Sequence, residues 1–251
     1  MKNAIFYLLL SVLMFSSFSC TKFLQEDPKS YITPTNFFKT TNEVIAAANG
    51  IYQAARYEVA SGVPPIYLTE ILSDDGALGG TAVGERLELD QLRYTSQDVT
   101  MASVWASSYT VINRANTVIF YIDSTAFPNA GTICRRVIAE AKFWRAYTYF
   151  RLVRLWGDVP LVSTPSVNGE IYPARSNSTL VYNQIIEDLK YAEQNLDPYY
   201  GYNDALNGGR ATAVAAKALL GKVYLTMSGY PLKDSSKIQM ASDKFNEIIT
   251  N

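Results

Sequence analysis

The sequence predicts an all-α, mainly helical protein in which tetratricopeptide-like helix hairpins form a right-handed superhelical scaffold. A long Gly-rich loop is inserted in this scaffold, which is incomplete at its C-terminus. Two observations lead to the prediction. Apolar residues recur at three- and four-residue spacing in successive segments, which is the period of an amphipathic helix. Of the 251 residues, 48% are hydrophobic and 18% are charged, so the chain can bury a substantial core.

Residues 1–19 are predicted to be a lipoprotein signal peptide. Lys2 precedes an apolar stretch of about 15 residues, whereas a membrane-spanning helix needs roughly 20. The stretch ends in Ser17-Phe18-Ser19-Cys20, a relaxed form of the bacterial lipoprotein cleavage sequence. We therefore expect Cys20 to carry the lipid, and the alternative is an ordinary signal peptide that is cut elsewhere. Residues 20–40 contain two prolines and predict an extended lead-in.

The helical domain is predicted over residues 41–251. Thr40 and Glu43 have the spacing of a capping box, which predicts a helix over about 41–57. A change to Gly- and Pro-rich sequence then predicts a long loop over about 61–95, with one short helical piece at about 67–72.

Five more helices and one short strand or extended arm are expected after the loop. The helices are predicted at about 98–121, 133–156, 178–196 and 211–228 and from about 235 onward, and the strand or arm at about 159–162. Because the last helical pattern is still open at Asn251, we expect a fragment, or half of a larger fold.

Two of the predicted helices share a pattern of small and aromatic residues. Ala146 and Tyr149 in the first correspond to Gly221 and Tyr224 in the second. A small residue lets two helix backbones approach and a ring fills the adjacent space, as in a tetratricopeptide hairpin. We therefore expect these four residues to pack the scaffold. The alternative is chance similarity between two Ala-rich helices.

The composition excludes several classes of function. The chain contains no histidine, which removes Ser-His-Asp and Cys-His catalysis and His-ligated zinc. We expect no cofactor and no metal. A net charge of −1 without a long basic run argues against a nucleic-acid partner. Asp74 and Asp75 leave a carboxylate-dependent glycoside hydrolase as an alternative, but adjacent loop carboxylates do not flank a cleft, so we predict that the protein is not an enzyme.

Several conspicuous side chains are expected to serve packing or solvation. Trp105 and Trp144 have core spacing on their predicted helices, and Cys134 has no disulfide partner if Cys20 is acylated, which predicts a small buried side chain. Three arginines of one helix are expected to be exposed, to snorkel or to pair with neighbouring acids; they are Arg145, Arg151 and Arg154.

Three blocks of the sequence resemble the SusD/RagB family of nutrient-uptake outer-membrane lipoproteins. They are residues 20–52, with Phe37-Phe38-x-Thr40 and Asn49-Gly50-x-Tyr52; residues 139–161, with Ala139-Glu140-Ala141 and Gly157-Asp158-Val159-Pro160-Leu161; and residues 209–220, with Gly209-Arg210-Ala211-Thr212. From the first block to the last they span most of the chain outside the signal peptide, and their order and separation support the resemblance.

The resemblance implies a non-catalytic lipoprotein of the cell outer membrane that is lipid-anchored and faces the exterior. Such a protein binds oligosaccharide or polysaccharide nutrients and delivers them to a SusC-like TonB-dependent transporter. The chain would then be the N-terminal half of the fold, a SusD-like helical domain. The alternative is a helical-repeat scaffold that binds another protein and has no sugar ligand.

The Gly-rich loop contains the residue types that bind sugars. Asp74, Asp75, Arg86 and Tyr94 combine carboxylates, a guanidinium group and a ring on a flexible backbone. The family resemblance makes this loop an expected edge of the glycan-binding face. A solvated insertion without a ligand is the alternative.

Overall fold

The computed structural model of the chain describes residues 37–60, 67–74, 76–80, 84–122, 131–166, 172–200 and 207–250. Within these ranges it contains helices α1 Thr41–Ala60, α2 Glu85–Asp90, α3 Val99–Tyr121, α4 Gly131–Trp156, α5 Ser178–Asn195, α6 Ala213–Ser228 and α7 Lys237–Ile249, a π-helical turn at Tyr67–Ile71, and strands β1 Val159–Pro160 and β2 Arg175–Ser176. The predicted signal peptide, Cys20 and most of the extended lead-in lie outside the described residues.

Polar side chains fix where several helices begin. At α1 the predicted capping box forms, because the Glu43 amide donates to Thr40 Oγ1 at 3.3 Å and Glu43 Oε2 accepts from the Thr40 amide at 2.7 Å. Asp98 caps α3 by accepting from the amides of the second and third helical residues. Asn177 and Thr212 cap α5 and α6 in the same way. These caps place the helix starts within a few residues of the predicted positions.

Apart from the short α2, helices that follow one another along the chain pack side by side. α3 packs on α1, α4 on both α1 and α3, α5 on α4, α6 on α5, and α7 on α6. This stacking of successive helix pairs confirms the mainly helical fold class. Val159 pairs antiparallel with Ser176 in a two-stranded sheet, so the predicted strand or arm contains a short strand.

Apolar side chains form two main cores along the stack. One lies among α3, α4, α5 and α6 and contains Tyr149 and Tyr224, which are 0% and 1% exposed. The other lies among α1, α3 and α4 and contains Cys134, with Trp144 packed against it. Cys134 is therefore a buried apolar side chain, as predicted.

Ala146 and Gly221 both lie where space is short. Ala146 is fully buried within the first core. A Cβ atom built on Gly221 would lie 2.8 Å from Cε1 of Phe245, so the Phe245 ring on α7 fills the space next to the α6 backbone. This close approach brings the last two helices together.

The predicted loop over about 61–95 contains one helix that was not predicted, α2. α2 has only six residues, and it begins after Gly84, which has no side chain to cap a helix. It therefore lacks the length and the capping residue by which a helix is predicted from sequence. The predicted helical piece at 67–72 corresponds to the π-helical turn. Within the described part of the chain, no helix combines the length and apolar character needed to cross a membrane.

Candidate functional site

The described residues of the Gly-rich segment, defined here as residues 67–98, are anchored on the helical scaffold. A small apolar cluster of Leu68, Leu89 and Val104 joins the π-helical turn, α2 and α3, and all three side chains are at most 5% exposed. The Leu78 amide donates to Asp90 Oδ1 at 3.4 Å, which ties the Gly-rich stretch to the end of α2. The segment therefore has a fixed base rather than being a free loop.

The structure describes two of the four predicted ligand-binding side chains. Asp74 is exposed, and Tyr94 is 42% exposed just before α3. Both stand on the anchored Gly-rich segment and are open to solvent. Arg86 lies in α2, but its side chain is outside the described residues, as is Asp75 altogether. Two of the four predicted side chains, Asp74 and Tyr94, are therefore accessible to a ligand.

An aromatic cluster lies beside the base of this segment. The Trp105 ring packs edge to face on Trp156 at 5.3 Å and lies 5.1 Å from the Tyr109 ring. The Arg175 guanidinium lies over Trp105 at 6.0 Å from the ring centroid. Because Trp105 is covered on these sides, the cluster serves packing, as its helical spacing predicted.

A buried charged cluster connects α3, α4 and α5. Arg145 donates from Nε and Nη2 to both oxygens of Asp188, at 2.7 and 2.8 Å, and from Nη1 to Asn116 Oδ1 at 2.8 Å. Lys142 adds a contact to Asp188 Oδ1 at 3.1 Å, and Gln184 donates to the same oxygen at 3.2 Å. The side chains of Arg145 and Asp188 are 4% and 0% exposed. Two cations thus share one buried carboxylate.

This cluster confirms the expected pairing of Arg145 with an acid and corrects its expected exposure. Arg145 is buried because α5 brings Asp188 against the middle of α4. Burial by itself would lower the pKa of Arg145, but the hydrogen bonds and charge of Asp188 outweigh burial and raise the pKa above its usual value. Arg154 is exposed and lies over the Phe150 ring, in keeping with the prediction.

A second polar cluster joins α1, α4 and the turn before α6. Arg210 donates to Glu140 Oε2 at 2.8 Å and to Asn49 Oδ1 at 2.6 Å, and its guanidinium lies over the Tyr52 ring at 5.4 Å. The Tyr52 hydroxyl accepts from the Ala211 amide at 2.8 Å. Burial, followed by the nearby charge of Glu140, raises the pKa of Tyr52, so this phenol stays protonated. No helical periodicity in the sequence indicates either cluster, because their members come from separate elements of the chain.

A small cleft lies between α1 and α3. Its volume is about 330 Å³, near the lower end for ligand pockets. The lining residues are small or polar; they are Gln53, Ala54, Ser103, Ala106, Ser107, Thr110 and Arg114. Arg114 donates to the Gly50 carbonyl and to Gln53 Oε1, so part of its hydrogen-bonding capacity holds the two helices together.

Comparison with known proteins gives consistent matches. The model of a SusD-like family, described as starch-binding and associating with the outer membrane, matches residues 22–225. SusD-like protein P2 of Formosa agariphila is 33% identical over 96% of this chain and 45% of that protein. The crystal structure of a SusD homologue from Bacteroides thetaiotaomicron has a TM-score of 0.75 and 26% identity, over 87% of this chain and 42% of that one. A laminarin-binding SusD-like protein has a TM-score of 0.72 and 27% identity, over 84% of this chain and 44% of that one.

The matches cover most of this chain but only part of each relative. The chain spans about half the length of the curated relatives, at 48% and 45% of the first two.

Proposed function

The chain belongs to the SusD-like family, and on that premise we propose that it is part of a lipid-anchored outer-membrane protein that binds glycan nutrients. In this proposal the protein captures oligosaccharide or polysaccharide at the cell exterior and delivers it to a SusC-like TonB-dependent transporter. It performs no chemistry on the glycan. The proposal is supported by the family description and by the laminarin-binding relative of similar fold.

The observation that carries the proposal is the fixed base of the Gly-rich segment. Leu68 and Leu89 hold this segment on α3, while Asp74 and Tyr94 face solvent. A sugar presents C–H faces that pack on a ring and hydroxyl groups that donate to a carboxylate. An anchored backbone orders these contacts before the ligand arrives, which lowers the entropic cost of binding. Asp75 and Arg86 belong to the same proposed edge of the glycan-binding face.

Affinity gel electrophoresis with the full-length protein tests this assignment. The gels contain laminarin in one series and starch in another, and retention is compared with a glycan-free gel. A variant carrying Asp74→Ala, Asp75→Ala and Tyr94→Ala is expected to lose retention while its helical circular dichroism stays unchanged. The control carries two changes, Asp243→Ala and Tyr230→Ala, which remove the same residue types from exposed positions on α7 and the turn before it.

The outcomes separate the candidate functions. Full retention in the triple variant would move the glycan site away from the Gly-rich segment. Absence of retention in the unaltered protein, together with co-purification of a protein other than a SusC-like barrel, would favour the helical-repeat scaffold. Release of new reducing ends from either glycan would favour a hydrolase. Purification from outer membranes tests the transporter partner, because a SusC-like barrel is expected to accompany the protein.

A further inference from the structure

Residues 160–166 form a strap outside the helices that is held on α3 and α4 by side chains. The Tyr109 hydroxyl donates to the Pro160 carbonyl at 2.8 Å. Tyr149 binds Val162 twice, since its hydroxyl accepts from the Val162 amide at 2.7 Å and lies 3.0 Å from the Val162 carbonyl. Side chains rather than a wide sheet therefore satisfy the backbone of the strap.

Two asparagines on the same side of α3 hold the far end of the strap with opposite hydrogen-bonding roles. Asn116 donates from Nδ2 to the carbonyls of Val162 and Thr164, at 2.9 and 3.2 Å. Asn113 accepts through Oδ1 from the Ser166 amide at 2.8 Å. Asn116 is fully buried, so its amide has no water to replace a lost partner.

The buried charged cluster dictates which way the Asn116 amide points. Arg145 can only donate, so Asn116 must turn its oxygen toward Nη1 of Arg145, 2.8 Å away. Asp188 fixes Arg145 through two further hydrogen bonds. The amide nitrogen of Asn116 is thereby left facing the two strap carbonyls.

The strap is continuous with β1, and β1 pairs with β2. Arg175 in β2 lies over Trp105, and its Nη1 donates to the Asp158 carbonyl at 3.1 Å. Trp156 packs on Trp105 and also against the apolar cluster of Leu68 and Leu89 beneath the Gly-rich segment. The strap therefore lies in a direct line of contacts that ends at the base of that segment.

We propose that Asn116 is a positioning residue. Arg145 and Asp188 impose the orientation of its amide, which holds the strap in place. Through the strap, the amide also holds β2 and Arg175 against the aromatic cluster of Trp105. This inference rests on the proposed function in one respect, since it makes the strap a support for the glycan-binding edge. The contacts of the strap itself do not depend on any ligand.

Two isosteric substitutions test the assigned hydrogen-bonding roles. Asn116→Asp keeps an acceptor for Arg145 but turns a carboxylate oxygen toward the Val162 and Thr164 carbonyls, so the strap is expected to be released. Asn113→Asp is the matched control, because a carboxylate still accepts from the Ser166 amide. Both variants add one negative charge to α3.

Hydrogen exchange of the full-length protein provides the measurement. In Asn116→Asp the protection of the Val162 amide against exchange is expected to fall roughly tenfold or more, because a buried hydrogen bond is lost. Amides in the interiors of α4 and α5 are expected to keep their protection. Tryptophan emission is expected to shift to the red as Arg175 leaves Trp105. In Asn113→Asp both quantities stay unchanged. Equal protection of the strap in the two variants would overturn the proposal.

Two further readouts keep the test decisive. If Asn116→Asp does not fold, Asn116→Ala removes the donor without adding charge, and retained strap protection in that variant overturns the proposal. Retention on laminarin gels is expected to weaken in Asn116→Asp and not in Asn113→Asp. If the unaltered protein binds neither laminarin nor starch, the proposed glycan function fails on those ligands, while hydrogen exchange still decides the role of Asn116.

Discussion

Arg210 donates a hydrogen bond to Glu140 at 2.8 Å, although the two residues are 70 positions apart in the sequence. The same guanidinium reaches Asn49 and covers the ring of Tyr52. Asn49, Glu140 and Arg210 come from the three sequence blocks that carry the family resemblance. The blocks therefore meet in one polar cluster that joins α1, α4 and the turn before α6.

Replacing Arg210 is expected to destabilise the fold strongly. Arg210→Met removes the cation that lies 2.8 Å from the Glu140 carboxylate, whose side chain is 0% exposed, and the remaining cation Arg136 is farther away, at 3.6 Å. Breaking a buried pair in this way costs about 3 kcal/mol in free energy of unfolding, measured by chemical denaturation. The control is Lys217→Met, whose partner Glu247 is 40% exposed, and about 0–1 kcal/mol is expected there. Similar losses in both variants would contradict a special role for the buried pair.

A larger side chain at Gly221 is expected to separate α6 from α7. The Phe245 ring lies 2.8 Å from the position that a Cβ atom on Gly221 would take, so Gly221→Leu overpacks the crossing and costs about 1–3 kcal/mol. Combining it with Phe245→Ala is expected to cost less than the sum of the two single changes. Gly50 is the control, because nothing lies within 4 Å of its Cβ position, and Gly50→Ala is expected to stabilise α1 by up to about 1 kcal/mol.

Ala146 gives an independent test of the tight scaffold. Ala146→Leu adds volume at a fully buried position of the first core and is expected to cost about 1–3 kcal/mol. The same change at the exposed Ala218 of α6 is expected to leave the melting temperature almost unchanged. An unaltered melting temperature in Ala146→Leu as well would mean that the core can expand to accept the side chain.

The sequence was sufficient to predict the main helices, because each depends on local information. The Thr40–Glu43 capping box and the apolar stripe of α5 act over a few residues, and both appear in the structure as predicted. Gly157 at φ 68° ends α4 just before β1, as a left-handed glycine does. These features need no knowledge of the neighbouring helices.

The buried polar clusters could not be predicted in the same way. Arg145 shows no local sign of burial, and its partner Asp188 is 43 residues away on another helix. Asn116 cannot be told from other polar helix residues by its local sequence, because its partners are carbonyl groups of the strap. Asp74 and Tyr94 were proposed as ligand residues from their residue types, and both are exposed. What they bind depends on surfaces formed by residues that are distant in the sequence.

Alkaline pH is expected to weaken the hold of α4 on the strap. Burial raises the pKa of Tyr149 from 10.0 to about 12 in the folded protein. The folded state therefore retains this proton more tightly than the unfolded chain, so the stabilisation is complete below pH 10 and is lost as the pH rises toward about 12. The loss across this interval is about 2–3 kcal/mol.

Tyr149→Phe identifies that contribution. The variant is less stable at neutral pH because the Val162 amide loses its acceptor, but its stability is expected to fall less steeply between pH 10 and about 12. The control is Tyr199→Phe, which removes a phenol that is 77% exposed. Denaturant titrations at several pH values measure the slope. Identical slopes in Tyr149→Phe and the unaltered protein would show that other groups dominate the alkaline transition.

Cys20 is expected to carry the membrane anchor. A single acyl chain binds a membrane weakly, whereas the diacylglyceryl group and amide-linked chain of a bacterial lipoprotein together anchor it stably. Cys20→Ala is therefore expected to release the protein to the soluble fraction or to leave an uncut precursor, measured by labelled palmitate and membrane fractionation. Cys134→Ala is the control, because this thiol is 1% exposed inside the second core and cannot be reached by an acylating enzyme in the folded protein. If Cys20→Ala still incorporates palmitate and sediments with outer membranes, the anchor lies at another residue.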